Sequence, residues 1–416
     1  MNVHFYPLKG RVALKGTRPA DAARPSTAVA ATGQNSRTRL DSIDLLRGLV
    51  MVVMALDHTR DFCAASGMNP RDVADPALFL TRWITHFCAP IFIFLAGVSA
   101  YLYGTRGRTT AEISRFLFTR GFWLIVLEFT FVRMGWFFGV GLDFFVMQVI
   151  WSIGASMVAL SALVWLPRAA IGAVGLGMIA GHNLLDGIHA ADFGAAGWIW
   201  NLLHESAMLT IAPGSKLRVL YPLVPWVGVM AAGFALGPIF MRAPEQRRRL
   251  LFGLGAATTA GFVALRLSNL YGDPAPWIAQ ETALSTVLSV LNVEKYPPSL
   301  LYLMMTLGPG LMLLAAFEHA RGRLANWITT FGRVPMLYYV AHIFLIHAAA
   351  VVMAWIAYGD ASWLFGSLPG HKPAGYGLPL AGVYAVWLLV VVSLYPLCRW
   401  FAGVKRRRSD WWLSYL

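Results

Sequence analysis

The chain has 416 residues, 57% of them hydrophobic and only 13% charged, with a mean hydropathy of +0.59. These values exclude a soluble globular domain and describe an all-α polytopic membrane protein whose apolar runs are too long for the strands of a membrane barrel. The formal charge of +14 would suggest nucleic acid in a soluble protein; here it reads as the Lys and Arg excess of cytoplasmic loops, so the expected partner is the lipid bilayer and not nucleic acid.

Residues 1–39 are rich in Ala, Arg, Thr and Pro and have no apolar core, which predicts a disordered basic cytoplasmic tail. A transmembrane domain is expected over 40–404 and a basic-aromatic cytoplasmic tail, KRRRSDWWLSYL, over 405–416. The first span is 44–62, DLLRGLVMVVMALDHTRDF. The second, 79–103, contains His86, Pro90 and Gly97 and is followed by the basic turn TRGRTTAEISR. The third, 116–138, holds Glu128. The fourth and fifth are 144–166 and 169–185. A long polar segment, 186–218, precedes the sixth, 219–241. The seventh is 250–270, and a second long loop, 271–298, ends in KYPPS. The eighth, ninth and tenth are 299–317, 336–357 and 380–401. About ten spans with both termini in the cytoplasm put most of the 34 Lys and Arg on that side. Arg47 then lies at the cytoplasmic face, and His58 lies deeper, towards the opposite side. No short internal repeat is present.

The first span carries the strongest signal. Eleven steps of about 100° separate Arg47 from His58, so both share one helix face roughly 16 Å apart along the axis. Asp44, Met51, Met54 and Asp61 fall on the same face, while Asp57 points about 80° or more away from it. Ionisable groups at membrane depth usually line a cavity or a substrate path. The alternative is that Asp44 and Arg47 anchor the helix at the interface and His58 is a satisfied polar residue at its far end.

The remaining candidates are scattered. No Gly-rich phosphate loop, His-Glu-x-x-His, paired-Cys or G-x-S-x-G motif occurs, and Cys63, Cys88 and Cys398 form neither a disulfide framework nor a metal spacing. His182, His342 and His347 also fall within spans; the last two are five apart and point about 140° from each other, so no metal is expected. His58 ends the first span and His86 begins the second, so both could face one cavity; His86 could equally be an interface histidine. Arg82, one turn before His86, and Lys295, at the outer interface, are candidate acceptor contacts or ordinary snorkelling cations. Arg106, Arg108, Arg115 and Arg120 lie on the side of Arg47, where they set topology or hold an anionic nucleotide.

A cationic mouth, an apolar Met-lined face and an imidazole about half a bilayer away match the outline of a coenzyme A thioester: an anionic head, a long arm and a reactive carbonyl at its tip. A neutral His58 could take the proton of an acceptor hydroxyl or amine, with Asp61 or Asp57 orienting its ring.

RLDSIDLLRGLVMVVMALDHTRDF and PIFIFLAGVSAYLYG resemble the catalytic-domain family of heparan-alpha-glucosaminide N-acetyltransferase, in its bacterial branch. The likeness continues through PLVPWVGVMAAGFALG, KYPPSLLYLMMTLGPG, FGRVPMLYYVAHIFLIH and YPLCRWFAGVKRRRSDWWLSYL. The Arg47–His58 spacing also looks like that of the bacterial membrane acyltransferases that O-acylate surface glycans. The resemblance implies transfer of an acetyl or acyl group from cytoplasmic acyl-CoA to a glycan or glycolipid across the bacterial inner membrane; a homodimer is a possible assembly, and the sequence leaves the oligomeric state open. In the lysosomal enzyme the catalytic histidine follows this helix, whereas here 59–85 holds no histidine, so that role passes to His58 or His86; Asp57 stands where that enzyme has asparagine. The competing reading is a transporter or flippase of a small solute or lipid-linked sugar.

Overall fold

The computed structural model describes residues 41–366, 372–408, 410 and 413. The expected tail over 1–39, and part of that over 405–416, lie outside the described residues. The described residues form fifteen α-helices and one small sheet.

Helix α1 (Asp41–Cys63) takes up the first expected span. Helix α2 (Pro76–Thr85) starts where the Asp75 carboxylate accepts from the Leu78 N–H at 3.0 Å, with Pro76 in the first turn. A short break at His86–Phe87 leads into α3 (Cys88–Gly104). Thr109 and Glu112 close a reciprocal cap at the start of α4 (Thr110–Leu127), which runs through a π-helical turn, Glu128–Val132, into α5 (Arg133–Phe137). Next come α6 (Val149–Leu163), α7 (Arg168–Gly181), α8 (Gly197–Leu203), α9 (Leu223–Leu236), α10 (Pro244–Ser268) and α11 (Ala283–Leu291). The chain ends with α12 (Leu300–Phe317), α13 (Arg323–Arg333), α14 (Pro335–Tyr358) and α15 (Leu380–Arg407).

Six segments are long and apolar enough to cross a membrane: α2 with α3, α9 with its extension to Met241, α10, α12, α14 and α15. A seventh is counted if Arg168–Leu185 and Ala190–Leu203, bent by 106°, form one broken span. Helix α1 has 23 residues but is not among the six, because acidic and basic side chains crowd both of its ends.

Two stretches depart from the sequence expectation. The fourth span was to begin at 144, yet Phe144–Met147 is a strand, β1, and α6 starts only at Val149. Phe-Phe-Val suits a pleated edge, and that edge finds a partner in the segment expected to be a polar loop. There β2 (Ala207–Ala212) and β3 (Ser215–Val219) form a hairpin through Gly214, whose φ of +78° only glycine adopts without strain. Strand β3 pairs parallel with β1 (Phe144 opposite Lys216) and antiparallel with β2 (Ala207 opposite Val219). The other departure is α13, an amphipathic helix between the eighth and ninth expected spans, where no element was expected.

Helix α1 is the hub. It packs against α13, α14, α15, α3, α12 and α2, and Leu46, Met51, Ala55 and Phe62 on it are all but sealed from solvent. Its closest neighbour is α13. A Cβ on Gly48 would strike the Ile328 carbonyl, and one on Gly332 would strike the Asp44 carbonyl, so two glycines let the backbones touch. In hydrocarbon, where apolar side chains gain nothing from leaving water, close backbone approach is a principal source of helix cohesion.

Candidate active site along helix α1

The first turns of α1 are held from three sides. Arg47 bonds Asp44 at 3.0 Å, donates to the Gly332 carbonyl at 3.3 Å on α13 and to the Ser99 hydroxyl at 3.3 Å on α3. Ser42 donates to Glu318 at 2.7 Å, and Glu318 is paired with the buried Arg247 of α10. Ser99 lies near the end of α3, so the turn carrying Arg106 and Arg108 is at the Arg47 end of the bundle. Arg108 pairs with Glu112 at 3.0 Å, both about half exposed, and lies over Tyr103; Arg120 lies over Phe116 on α4. Of the four arginines expected near Arg47, Arg106 and Arg108 are in the turn after α3, and Arg115 and Arg120 lie farther along on α4. Met51 and Met54, farther along α1, are buried.

At the other end of α1 the central contact joins two imidazoles. His58 Nδ1 lies 2.7 Å from His342 Nε2, the rings 7° from parallel, and His342 Nδ1 lies 2.9 Å from the Tyr338 carbonyl. Trp136 packs edge-on to His58 at 4.9 Å between ring centres, and Tyr339 packs at 6.3 Å. The Trp136 Nε1 and the Tyr339 hydroxyl are enclosed beside one another, and among the described residues neither bonds a third group.

The acidic residues expected to orient His58 are engaged elsewhere. Arg60 takes Asp57 at 2.7 Å and Asp61 at 2.9 Å, and Lys295 lies 3.9 Å from Asp57. Among the described residues no hydrogen bond joins either carboxylate to the His58 ring, which belongs to His342. Burial alone would lower the pKa of Lys295, but Tyr296 and Asp57 beside it outweigh that and hold it above the ordinary lysine value.

His86 and His58 are not equivalent. His86 is 1% exposed, both of its ring nitrogens are enclosed and unpartnered, and its ring meets Tyr302 edge-on at 5.5 Å. His58 keeps 9% of its surface open, and its Nε2, which has no hydrogen-bond partner among the described residues, is not among the enclosed atoms. Arg82 is buried on α2, one turn before His86. Two further buried histidines tie backbone together: His347 bridges the carbonyls of Gly135 and Leu364 at 2.8 and 2.9 Å, and His182 bridges those of Pro298 and Ile179 at 2.8 and 3.0 Å, while a third, His204, has its Nε2 3.3 Å from the Asp186 carboxylate. Among the described residues no group of three His, Cys, Asp or Glu is placed to hold a metal ion.

Beyond Trp136 lies a cavity of about 650 Å³, lined by Arg60, Asp61, Gln148, Arg218 and Lys372 among others, with β1 and β3 supplying part of its wall. Lys372 donates to the Ala64 carbonyl at 2.9 Å, and burial pulls its pKa below the usual lysine value. Trp136 lines the cavity and also packs against His58.

Sequence reasoning did not find His342, Trp136 and Tyr339 as neighbours of His58. They arrive from α14 and α5, and no local spacing connects those segments to α1.

Apolar helices of spanning length around a hub with buried ionisable groups define an integral membrane protein with a polar site in its interior. Residues 39–265 match the family model described as heparan-alpha-glucosaminide N-acetyltransferase, catalytic, and the chain belongs to this family of membrane acetyltransferases. No curated protein matches the chain. The matched segment includes Arg47, His58, Asp57, Asp61, Arg82 and His86, and ends before Lys295 and His342.

Proposed function

We propose that the protein moves an acetyl or other acyl group from cytoplasmic acyl-CoA to a hydroxyl or amine of a glycan or glycolipid on the opposite side of a bacterial inner membrane. The observation that carries this is that Arg47 and His58 stand at opposite ends of one helix, α1, inside the segment that matches the acetyltransferase family. In this arrangement ten spans leave both termini in the cytoplasm, with residues 40–404 as the catalytic unit between two cytoplasmic tails.

Arg47, with Arg106, Arg108 and Arg120, receives the nucleotide phosphates of the donor, for which guanidinium groups are suited. The thioester carbonyl reaches the His58 end. The acceptor enters from the 650 Å³ cavity behind Trp136, and Lys295, 3.9 Å from Asp57, and Arg82 are its further contacts. His58 Nε2 removes the acceptor proton as the oxygen or nitrogen attacks the carbonyl carbon. The C–S bond then breaks, and the thiolate leaves with the proton returned from the imidazolium, giving free coenzyme A and the acylated acceptor. The tetrahedral oxyanion needs donors, and Trp136 Nε1 and the Tyr339 hydroxyl are enclosed donors flanking His58. Asp57 and Asp61 act through Arg60, as the charge balance around the base.

Calorimetric titration of the detergent-purified protein with acetyl-CoA tests the donor half without knowledge of the acceptor. Binding is expected, and Arg47→Ala should weaken it about 10-fold or more, as loss of a charge-assisted contact would. A well-folded sample that binds neither acetyl-CoA nor longer acyl-CoAs refutes the proposal and turns the same helix into a transport path.

A further inference from the structure

The hydrogen bonds around His342 determine which nitrogen of His58 carries its proton. A carbonyl oxygen can only accept, so the 2.9 Å contact to Tyr338 requires the proton of His342 to sit on Nδ1. The Nε2 of a neutral His342 is then a bare acceptor. At 2.7 Å from it, His58 Nδ1 must be the donor. A proton on both nitrogens of His342 would reverse that bond, but His342 is 0% exposed and no carboxylate touches it, so the extra charge would be buried without a counter-ion. One arrangement remains: the Tyr338 carbonyl accepts from His342 Nδ1–H, His342 Nε2 accepts from His58 Nδ1–H, and His58 Nε2 is left with a free lone pair.

We infer that His342 is a positioning residue that holds His58 in the Nδ1–H tautomer with Nε2 bare towards the reaction space, the task that a carboxylate performs beside other catalytic histidines. The inference rests on the proposed acyl transfer and lies outside the family-matched segment, since His342 comes from α14. The other buried histidines do not share this geometry. His182 and His347 each have both ring nitrogens at carbonyls, His204 faces the Asp186 carboxylate through Nε2 with its Nδ1 enclosed, and among the described residues His86 has no partner for either nitrogen. When Nε2 takes a proton from the acceptor, the resulting imidazolium keeps its Nδ1–H on His342, so the positive charge gains an acceptor without any group having to move.

Two measurements test this. Nitrogen-15 NMR of histidine-labelled protein, assigned through His58→Gln and His342→Gln, reads the tautomer with no turnover needed; a protonated Nδ1 and bare Nε2 on His58 are expected, and a protonated Nε2 overturns the inference. In turnover assays His342→Leu, which removes the acceptor, should lower kcat by roughly 10²-fold, within the span that general-base chemistry contributes, with acetyl-CoA affinity and acceptor KM unchanged. His342→Gln, whose amide oxygen can accept from Nδ1–H and whose nitrogen can donate to Tyr338, should restore most of that loss. A leucine variant with wild-type kcat beside an inactive His58→Ala overturns the positioning assignment and leaves acyl transfer intact. A wild-type protein that transfers nothing, yet shows the expected tautomer, overturns acyl transfer and leaves the proton arrangement standing.

Discussion

Replacing Asp57 by Asn should destabilise the protein, and removing a second residue should undo much of the damage. Asp57 is 17% exposed and faces two cations, Arg60 at 2.7 Å and Lys295 at 3.9 Å, which are 11% and 8% exposed. With an effective dielectric of about 20, these contacts correspond to roughly 6 and 4 kcal/mol of Coulomb attraction, most of it offset by the cost of desolvating the charges. Asparagine keeps the shape and removes the charge. Arg60 retains Asp61 at 2.9 Å, whereas Lys295 is left without a carboxylate in salt-bridge range. The loss therefore falls mainly on Lys295, and a buried pair broken on one side costs about 3–5 kcal/mol. Because Arg60 is still compensated, we expect the lower end, about 3 kcal/mol, for Asp57→Asn. Lys295→Met added to it should recover more than half, since methionine fills the lysine stem's volume without a charge. Denaturant unfolding in mixed micelles, followed by tryptophan fluorescence, gives both values. A single-variant loss under about 1 kcal/mol, or a double variant less stable than Asp57→Asn, would refute the charge-balance account. The same pair of variants tests chemistry: if Asp57 serves only as counter-charge, turnover returns with stability in the double variant, and a stable but inactive double variant would make Asp57 a direct participant.

Tyr339→Phe and Trp136→Phe should each lower kcat about 10²-fold with acetyl-CoA affinity unchanged, as removal of one oxyanion donor does; steady-state rates at saturating donor decide it, and unaltered kcat in both removes these donors from the reaction. His86→Phe should leave turnover within a few-fold of wild type and stability unchanged or raised by about 1 kcal/mol, because it removes two enclosed polar atoms that have no partner. A loss of turnover in His86→Phe as large as that in His58→Ala would make His86 the base.

Much of the bundle could be read from composition, because a 20-residue apolar run in a bilayer has no option but to satisfy its own backbone in a helix. That logic also located α1, whose charged ends make it anomalous among the helices and central to the fold. It failed where the chain leaves the regime in which the logic holds. Phe144–Met147 is apolar but only four residues long, and pairing with β3 meets its backbone bonds just as well as a helix would. Helix α13 was overlooked because its polar and apolar residues average out over a window, although one side of it packs glycine to glycine against α1. At the site, helical spacing placed Arg47 and His58 on one face and turned Asp57 away from it, because those relations lie within one helix. It could not supply His342, which is 284 residues from His58 in sequence and 2.7 Å from it in space.

That partner also bears on the carboxylates near His58. Asp57 and Asp61 are near in sequence, and a carboxylate is the usual companion of a catalytic imidazole in water-rich sites. In a low-dielectric interior, a carboxylate–imidazole pair carries a full negative charge at rest and needs further cations to offset it. The protein separates the two problems. The acidic groups flanking the site on α1 are spent on cations, Asp44 on Arg47, Asp57 on Arg60 and Lys295, and Asp61 on Arg60. The base is left beside a neutral imidazole and a backbone carbonyl, partners that fix a proton without adding charge. A His342→Glu variant follows from the same reasoning. It restores the familiar carboxylate partner and should still be less stable than His342→Gln, by about 1–3 kcal/mol, because the new charge is enclosed with no cation in reach. Equal stability of the two variants in mixed-micelle unfolding would show that water or a cation reaches this position, and the case for a charge-free dyad would fail with it.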